Sequence, residues 1–343
     1  MMSAAEFLSN SHQVDVLLDS HLLGIGSDKI KQKLENLHGF DLSKVNFIRA
    51  PFGDGSFFVS RVINRLIFLK KYDYLFYLTD GSIFFSTAKN NILHMQSPIK
   101  NSHNDLWTKI KLSRWKMIIF NSNFTKEETE GSWKIKGLVV YPPVSIDVIK
   151  PLKKEKIILS VGRFFGYLKD KKHEILIDAF SKLTKSGKLT GWSLHLVGAA
   201  GEGDFSYVDE LKKLSQGLEV FLHPNLEFKE LVKLYGSASI YWHAAGYGET
   251  DPTKMEHFGI STVEAMAAGA VPIVVSLGGQ KEIVEDKKSG LLWDTPDEMI
   301  RYTLNIIENK NLANKISKAA VERSKMFSGN KFYEQIQKLI NNE

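Results

Sequence analysis

The sequence predicts an α/β protein of two doubly wound halves with a cleft between them. Three observations carry this. Short apolar strands alternate with amphipathic helices along 343 residues, the pattern of a parallel sheet covered on both faces. The stretch VVYPPVSIDVIKP at 139–151 holds three prolines in 13 residues and reads as a linker. The length suits two domains. With 43% hydrophobic and 24% charged residues, there is apolar material for two cores.

The elements follow in order. Residues 3–10 read as the end of a helix and VDVLLD (14–19) as a strand. SDKIKQKLENL (27–37) has a helical period, with Ser27 as its cap. VNFIRAP (45–51) is a strand stopped by Pro51, and a helix covers 57–70. YDYLFYLTD (72–80) is a strand that ends in Thr79, Asp80 and Gly81. NNILHMQSP (90–98) and KMIIFNS (116–122) carry two more strands.

The second alternation starts after the linker. KIILSVGRF (156–164), WSLHLVG (192–198) and EVFLHP (219–224) contain strands. HEILIDAFSKLT (173–184), YVDELKKLSQ (207–216) and FKELVKLYGSA (228–238) have helical periods. GGQKEIVEDKKSGLLW (278–293) gives a helix, a Ser-Gly turn and a strand, and helices follow. The expected division is 1–150, 151–325 and a C-terminal helix in 326–343 that packs back toward the first domain. A doubly wound domain opens with strand, Gly-rich turn and helix. Here the chain opens inside what reads as that first helix, so the first domain is expected to lack its opening strand.

Composition removes several classes. There are no cysteines, which excludes disulfides, a thiol nucleophile and Cys-ligated zinc. No apolar run approaches the ~18–20 residues of a membrane span, and no signal peptide is evident. The net charge of +6 is mild and its basic residues are scattered. It suits anionic substrates or a peripheral contact with the inner membrane face, and no nucleic acid is expected as a partner. The expected location is cytoplasmic. No Asp-x-Asp and no His/carboxylate cluster with ligand spacing occurs, so no metal and no cofactor are expected.

The most informative stretch runs from Ile240 to Val275 and reads as strand, long glycine-containing loop, helix and buried strand. Ser261 with Glu264 three residues on has the form of a capping box. Gly259 allows close approach of the backbone. The helix start then offers free N–H groups and a positive dipole end to a phosphate.

EHFGISTVEAMAAG resembles the signature of family 4 retaining glycosyltransferases, nucleotide-sugar enzymes with the GT-B fold of two Rossmann-like domains. The family pattern is matched by Glu256, Phe258, Gly259, Glu264, Ala265, Met266, Ala267 and Gly269. The resemblance covers 155–300 well and 1–150 loosely. It implies a hexosyltransferase that moves a sugar from a nucleotide diphosphate to a glycan or lipid-linked acceptor, without metal. Most relatives act in polysaccharide or glycolipid biosynthesis.

The resemblance also assigns roles residue by residue. Arg163, after SVG, and Lys171, before the helix HEILIDAF, are its diphosphate-binding pair, with Gly162 beside them. Ser261, Thr262 and the N–H groups after Gly259, including that of Ile260, face the diphosphate. Glu264 meets the ribose, and Glu256 lies beside the sugar ring with Phe258 next to it. His94 corresponds to a cleft-edge histidine of the first domain that bonds the donor sugar. His243 and the turn Gly278–Gly279 fall near the donor.

Two other classes compete. A GT-B protein that binds nucleotide sugars with weak or no catalysis would lack turnover. A nicotinamide oxidoreductase would need G-x-G-x-x-G after an early strand, and the clusters Gly24/Gly26, Gly53/Gly55 and Gly198/Gly201/Gly203 do not have that spacing.

Overall fold

The computed structural model describes residues 2–18, 22, 24–38, 40–50, 58–79, 81–99 and 105–341; Pro51, Gly53, Gly55 and Asp80 lie outside the described residues. The chain divides into two compact units. One is Met1–Asn121, Thr125–Tyr141 and Phe332–Glu343, and the other is Ser122–Phe124 and Pro142–Lys331.

In the first unit, β1 (Val14–Leu18) pairs parallel with β2 (Val45–Arg49). Strands β3 (Tyr74–Thr79), β4 (Asn90–Met95), β5 (Met117–Phe120) and β6 (Leu138–Val139) form a parallel sheet in that order. Successive side chains of a strand point to opposite faces, so β4 and β5 feed two cores. Ile92 and Ile119 pack with Ala4 and Leu8 of helix Met2–Leu8 and with Phe332 and Ile336 of helix Gly329–Asn341. Phe7 stacks on Tyr333 at 4.2 Å. Leu93, Met95, Ile118 and Phe120 pack instead with Trp115 and Trp133.

The second unit holds a six-stranded parallel sheet. Its strands are β7 (Glu155–Val161), β8 (Ser193–Gly198), β9 (Val220–Pro224), β10 (Ala238–His243), β11 (Val271–Val275) and β12 (Leu291–Trp293), in the order β12-β11-β10-β7-β8-β9. The chain winds outward from β7 to β9, returns to β10, and winds the other way. The order reverses between β7 and β10, and ligands of such sheets bind outside the carboxyl ends of the strands at that point. All five residues of β11 are buried, as expected for a strand covered on both faces. Trp242 of β10 is fully buried and donates through Nε1 to Thr303 Oγ1 at 3.0 Å, which satisfies its one polar atom. Lys154 donates to the carbonyls of Gly236 and Ala268 at 2.8 and 2.6 Å. Both lie at helix C-terminal ends, where a cation is favoured. Burial brings its ammonium down to about 8.

Two glycines set how closely the ends of β7 and β8 approach. A Cβ built on Gly198 would lie 2.0 Å from the Gly162 carbonyl oxygen. Both partners are backbone, so neither can move aside as a side chain would. Gly198→Ala is therefore expected to destabilise the protein by about 2–4 kcal/mol in urea unfolding, the cost of forcing an overpacked site apart. A change below about 0.5 kcal/mol would show that this contact relaxes freely.

Candidate active site

The loops after β7 and β10 meet at the switch point. β7 ends at Val161, and Gly162 N–H donates to Val197 O at 2.8 Å. The loop is then held from inside. Phe164 is buried and stacks on His173 at 4.8 Å, and Gly166 N–H donates to Asp204 Oδ1 at 3.0 Å. Lys169 and Lys172 adopt left-handed backbone, with φ of 47° and 54°, unfavourable for residues with a Cβ. The result is that three nearby lysines aim at three different carboxylates. Lys169 meets Glu210 at 2.7 Å, Lys171 meets Glu256 at 2.8 Å and Lys172 meets Glu249 at 2.6 Å.

Glu256 is the convergence point. Its Oε2 accepts from Lys171 Nζ and from His243 Nε2, the latter at 3.2 Å. A carboxylate only accepts, so Nε2 of His243 carries the proton. Gln280 Nε2 lies 3.4 Å from the same ring nitrogen, and Gln280 Oε1 is buried without a partner. A donating Nε2 has nothing to offer an amide N–H, so the Gln280 amide is satisfied when turned over, with its oxygen facing the ring. Burial raises the Glu256 carboxyl, but Lys171 and His243 outweigh it and hold the group well below the usual carboxylate range.

Glycines make this convergence fit. Gly279 N–H donates to Glu256 O at 2.8 Å, and a Cβ on Gly278 would lie 2.3 Å from that oxygen. A Cβ on Gly162 would lie 2.9 Å from Lys171 Cγ. Phe258 is buried edge-on against Phe327 at 5.5 Å and anchors the residue two along from Glu256.

The helix after this loop, Ile260–Ala267, starts differently from the expected capping box. Gly259, at φ 118°, is its N-cap and no side chain caps it. The glycine admits a backbone turn that starts the helix one residue early, so Ser261 falls inside the first turn. Its Oγ is taken by Tyr241 Oη at 2.8 Å, and Glu264 Oε2 by Tyr235 Oη at 2.7 Å. Among the described residues, Ile260 and Ser261 N–H groups have no backbone acceptor. Burial lifts the Glu264 carboxyl to about 7 despite the Tyr235 bond. Thr262 is fully buried, with its hydroxyl beside that of Tyr241.

Of the residues singled out from sequence, Lys171 and His243 thus both touch Glu256, with Gly162, Gly278 and Gly279 against them. Arg163 is exposed, lies over the Phe165 ring at 4.3 Å, and has no carboxylate partner among the described residues. His94 belongs to the other unit; it is buried, its Nε2 has no partner, and burial lowers its imidazole to about 3. Gln280, Lys172, Glu249, Tyr235 and Tyr241 were not anticipated. Gln280 directly follows the glycine pair, and Glu249 lies in the long glycine-containing loop after β10. The tyrosines carried no local signal. Among the described residues, no three His, Asp or Glu cluster as metal ligands.

The chain is similar to known proteins in sequence and in fold. The family model described as glycosyl transferases group 1 matches residues 145–323. A GDP-Man:Man(3)GlcNAc(2)-PP-Dol alpha-1,2-mannosyltransferase of Dictyostelium discoideum is 26% identical over 303 residues, covering 78% of this chain and 58% of that protein. The human protein of the same name is 28% identical over 289 residues, covering 73% and 56%. The chain thus spans a little over half the length of these relatives. A glycosyltransferase from Rickettsia africae superposes with a TM-score of 0.76 at 19% identity, covering 99% of this chain and 93% of that one.

Removing Lys171 tests the electrostatics. Glu256 has a depressed pKa, so its contribution to stability is present above the unfolded value and fades as pH falls. In Lys171→Met the burial penalty faces only His243, and the carboxyl rises. The variant is expected to lose about 2 kcal/mol at pH 7, and the gap to wild type should narrow at pH 5. Urea unfolding at the two pH values measures both. A loss independent of pH would mean that Lys171 contributes packing rather than charge.

Proposed function

The chain belongs to the glycosyl transferases of group 1, and we propose that it transfers a hexosyl group from a nucleotide-diphosphate sugar to a glycan or lipid-linked acceptor. The observation that carries this is the Lys171–Glu256 pair at the reversal of strand order, with unpaired Arg163 following β7. Leaving-group departure builds negative charge on a diphosphate, and preorganised cations aimed at it supply the largest share of such catalysis. Lys171, Arg163 and the N–H groups at the start of helix Ile260–Ala267 are the donors for that charge.

Glu256 stays ionised at neutral pH and stabilises positive charge at the anomeric carbon. A diphosphate that draws Lys171 toward itself leaves that carboxylate with His243 alone, freeing one of its lone pairs for a sugar hydroxyl. Glu264, poised near neutrality, accepts from the ribose and keeps Tyr235 as its second partner. His94 is a sugar-binding group of the first unit. The transfer retains anomeric configuration, as the resemblance to family 4 implies, and needs no divalent ion because Arg and Lys provide the positive charge. Two relatives named for GDP-mannose and a dolichol-diphosphate glycan make GDP-mannose the first donor to try, with a lipid-diphosphate oligosaccharide as acceptor. The expected setting is peripheral and cytoplasmic; among the described residues no helix is long and apolar enough to cross a membrane.

A panel of nucleotide sugars with that acceptor, followed by product release in the presence of a chelator, tests the reading. Arg163 is exposed, so Arg163→Ala should leave unfolding unchanged within about 0.5 kcal/mol. It should lower kcat/KM by about 30- to 1000-fold, the equivalent of 2–4 kcal/mol in the barrier. Donor binding without release of nucleotide from any donor would favour a non-catalytic binder. Unchanged kcat/KM in the variant would remove Arg163 from the site.

A further inference from the structure

The first unit carries exposed apolar residues outside the site described above. On helix Phe58–Leu69, Val59, Ile63 and Ile67 are four residues apart and are 65%, 48% and 69% exposed. That spacing puts them on one helix face. On helix Leu106–Leu112, Leu106 and Trp107 are 72% and 73% exposed, and Ile110 is exposed as well. Large apolar side chains in two such groups are not the scattered single residues that any soluble surface shows.

Segment 84–88, between the two helices in sequence, is held from both sides. Thr87 Oγ1 donates to Leu66 O, and the Arg65 guanidinium lies 4.8 Å from the Phe84 ring centre. From the other side, Arg114 donates to Ser86 O and Ala88 O at 2.9 and 3.0 Å, and Trp115 Nε1 donates to Phe84 O at 3.0 Å. Phe85, also exposed, sits in this bridge. So segment 84–88 links the first helix to the residues just after the second.

Each helix, with the residues that follow it, carries charge of one sign. No acidic residue occurs from Gly55 to Tyr72 or from Leu106 to Lys126. Arg61, Lys70, Lys109, Lys111 and Lys116 have no carboxylate partner among the described residues, and Arg61 Nε is buried without any partner. Two nearby acids are already engaged. Asp73 pairs with Lys89 at 2.5 Å, and Asp105 caps its own helix by accepting from Thr108 N–H at 2.8 Å.

We propose that this face docks on an anionic lipid bilayer, with Val59, Ile63, Ile67, Leu106, Trp107 and Ile110 entering the interface and the unpaired cations meeting lipid phosphates. Charge complementarity selects this occupant over a second copy of the chain, which would set like charges against one another. An amphipathic helix with basic residues beside an apolar stripe lies in the plane of the interface, and a tryptophan suits the headgroup level. Each surface cation adds attraction to anionic lipid that falls with salt.

The test is sedimentation of the full chain with vesicles of phosphatidylcholine alone or mixed with phosphatidylglycerol, without any donor. Wild type should bind the mixed vesicles and far less the neutral ones. Ile67→Gln with Trp107→Gln, both at exposed sites, should lower the partition coefficient about tenfold, and Lys109→Glu with Lys111→Glu by a similar factor. Circular dichroism should show each variant folded. Equal binding of the two vesicle types, no binding by wild type, or binding that ignores both pairs of substitutions would overturn the proposal. So would a dimer in solution that the apolar substitutions dissolve while vesicles stay unbound. Vesicle binding does not require transfer, so failure here and failure of the proposed activity are read separately.

Discussion

A carboxylate taken out of water stays ionised only where positive charge or N–H donors replace the water, and Glu256 has such partners from two directions. Lys171 reaches it from the loop after β7, and His243 from the last position of β10. The pair therefore ties together the two loops that flank the reversal of strand order. Much of the local geometry serves this contact. Gly162 leaves room for the lysine stem, Gly278 and Gly279 close on the Glu256 backbone, and Phe164 with His173 holds the lysine-bearing loop against the helix it enters.

Glu256 and Glu264 stand eight positions apart, yet their environments push them in opposite directions. The first has a lysine and a protonated ring nitrogen and is held ionised. The second has only a tyrosine hydroxyl against burial, and titrates near 7. Two carboxyls whose environments separate their acidities are suited to different tasks in one site.

Much of the fold was legible because the strands of the second unit are short, apolar and separated by helices of clear period. Their order was not, since neighbours in a sheet are chosen by packing between distant segments. The same limit explains the helix start. Ser261 and Glu264 have the local spacing of a capping box, but Tyr241 and Tyr235 are 20 and 29 positions from them and take both side chains. A capping box is read from four residues; these partners are supplied by tertiary contact. Lys171 was separable from Lys169 and Lys172 only through its distance to the helix that follows. In the structure each of the three meets its own carboxylate, a division that spacing could not reveal. Gln280 was hidden in another way: as the residue after two glycines it looked like an ordinary helix entry.

On the proposed reading, the Lys171–Glu256 pair at the switch point holds the diphosphate of a nucleotide. Calorimetric titration of GDP and UDP, each against its monophosphate, tests it most directly in wild type and in Lys171→Met. At least one diphosphate should bind wild type about 100-fold more tightly than its monophosphate, since a second phosphate adds charge-assisted contacts. That ratio should collapse in the variant while the monophosphate affinity stays nearly the same. Equal affinity of wild type for diphosphate and monophosphate, or an undiminished ratio in Lys171→Met, would contradict it.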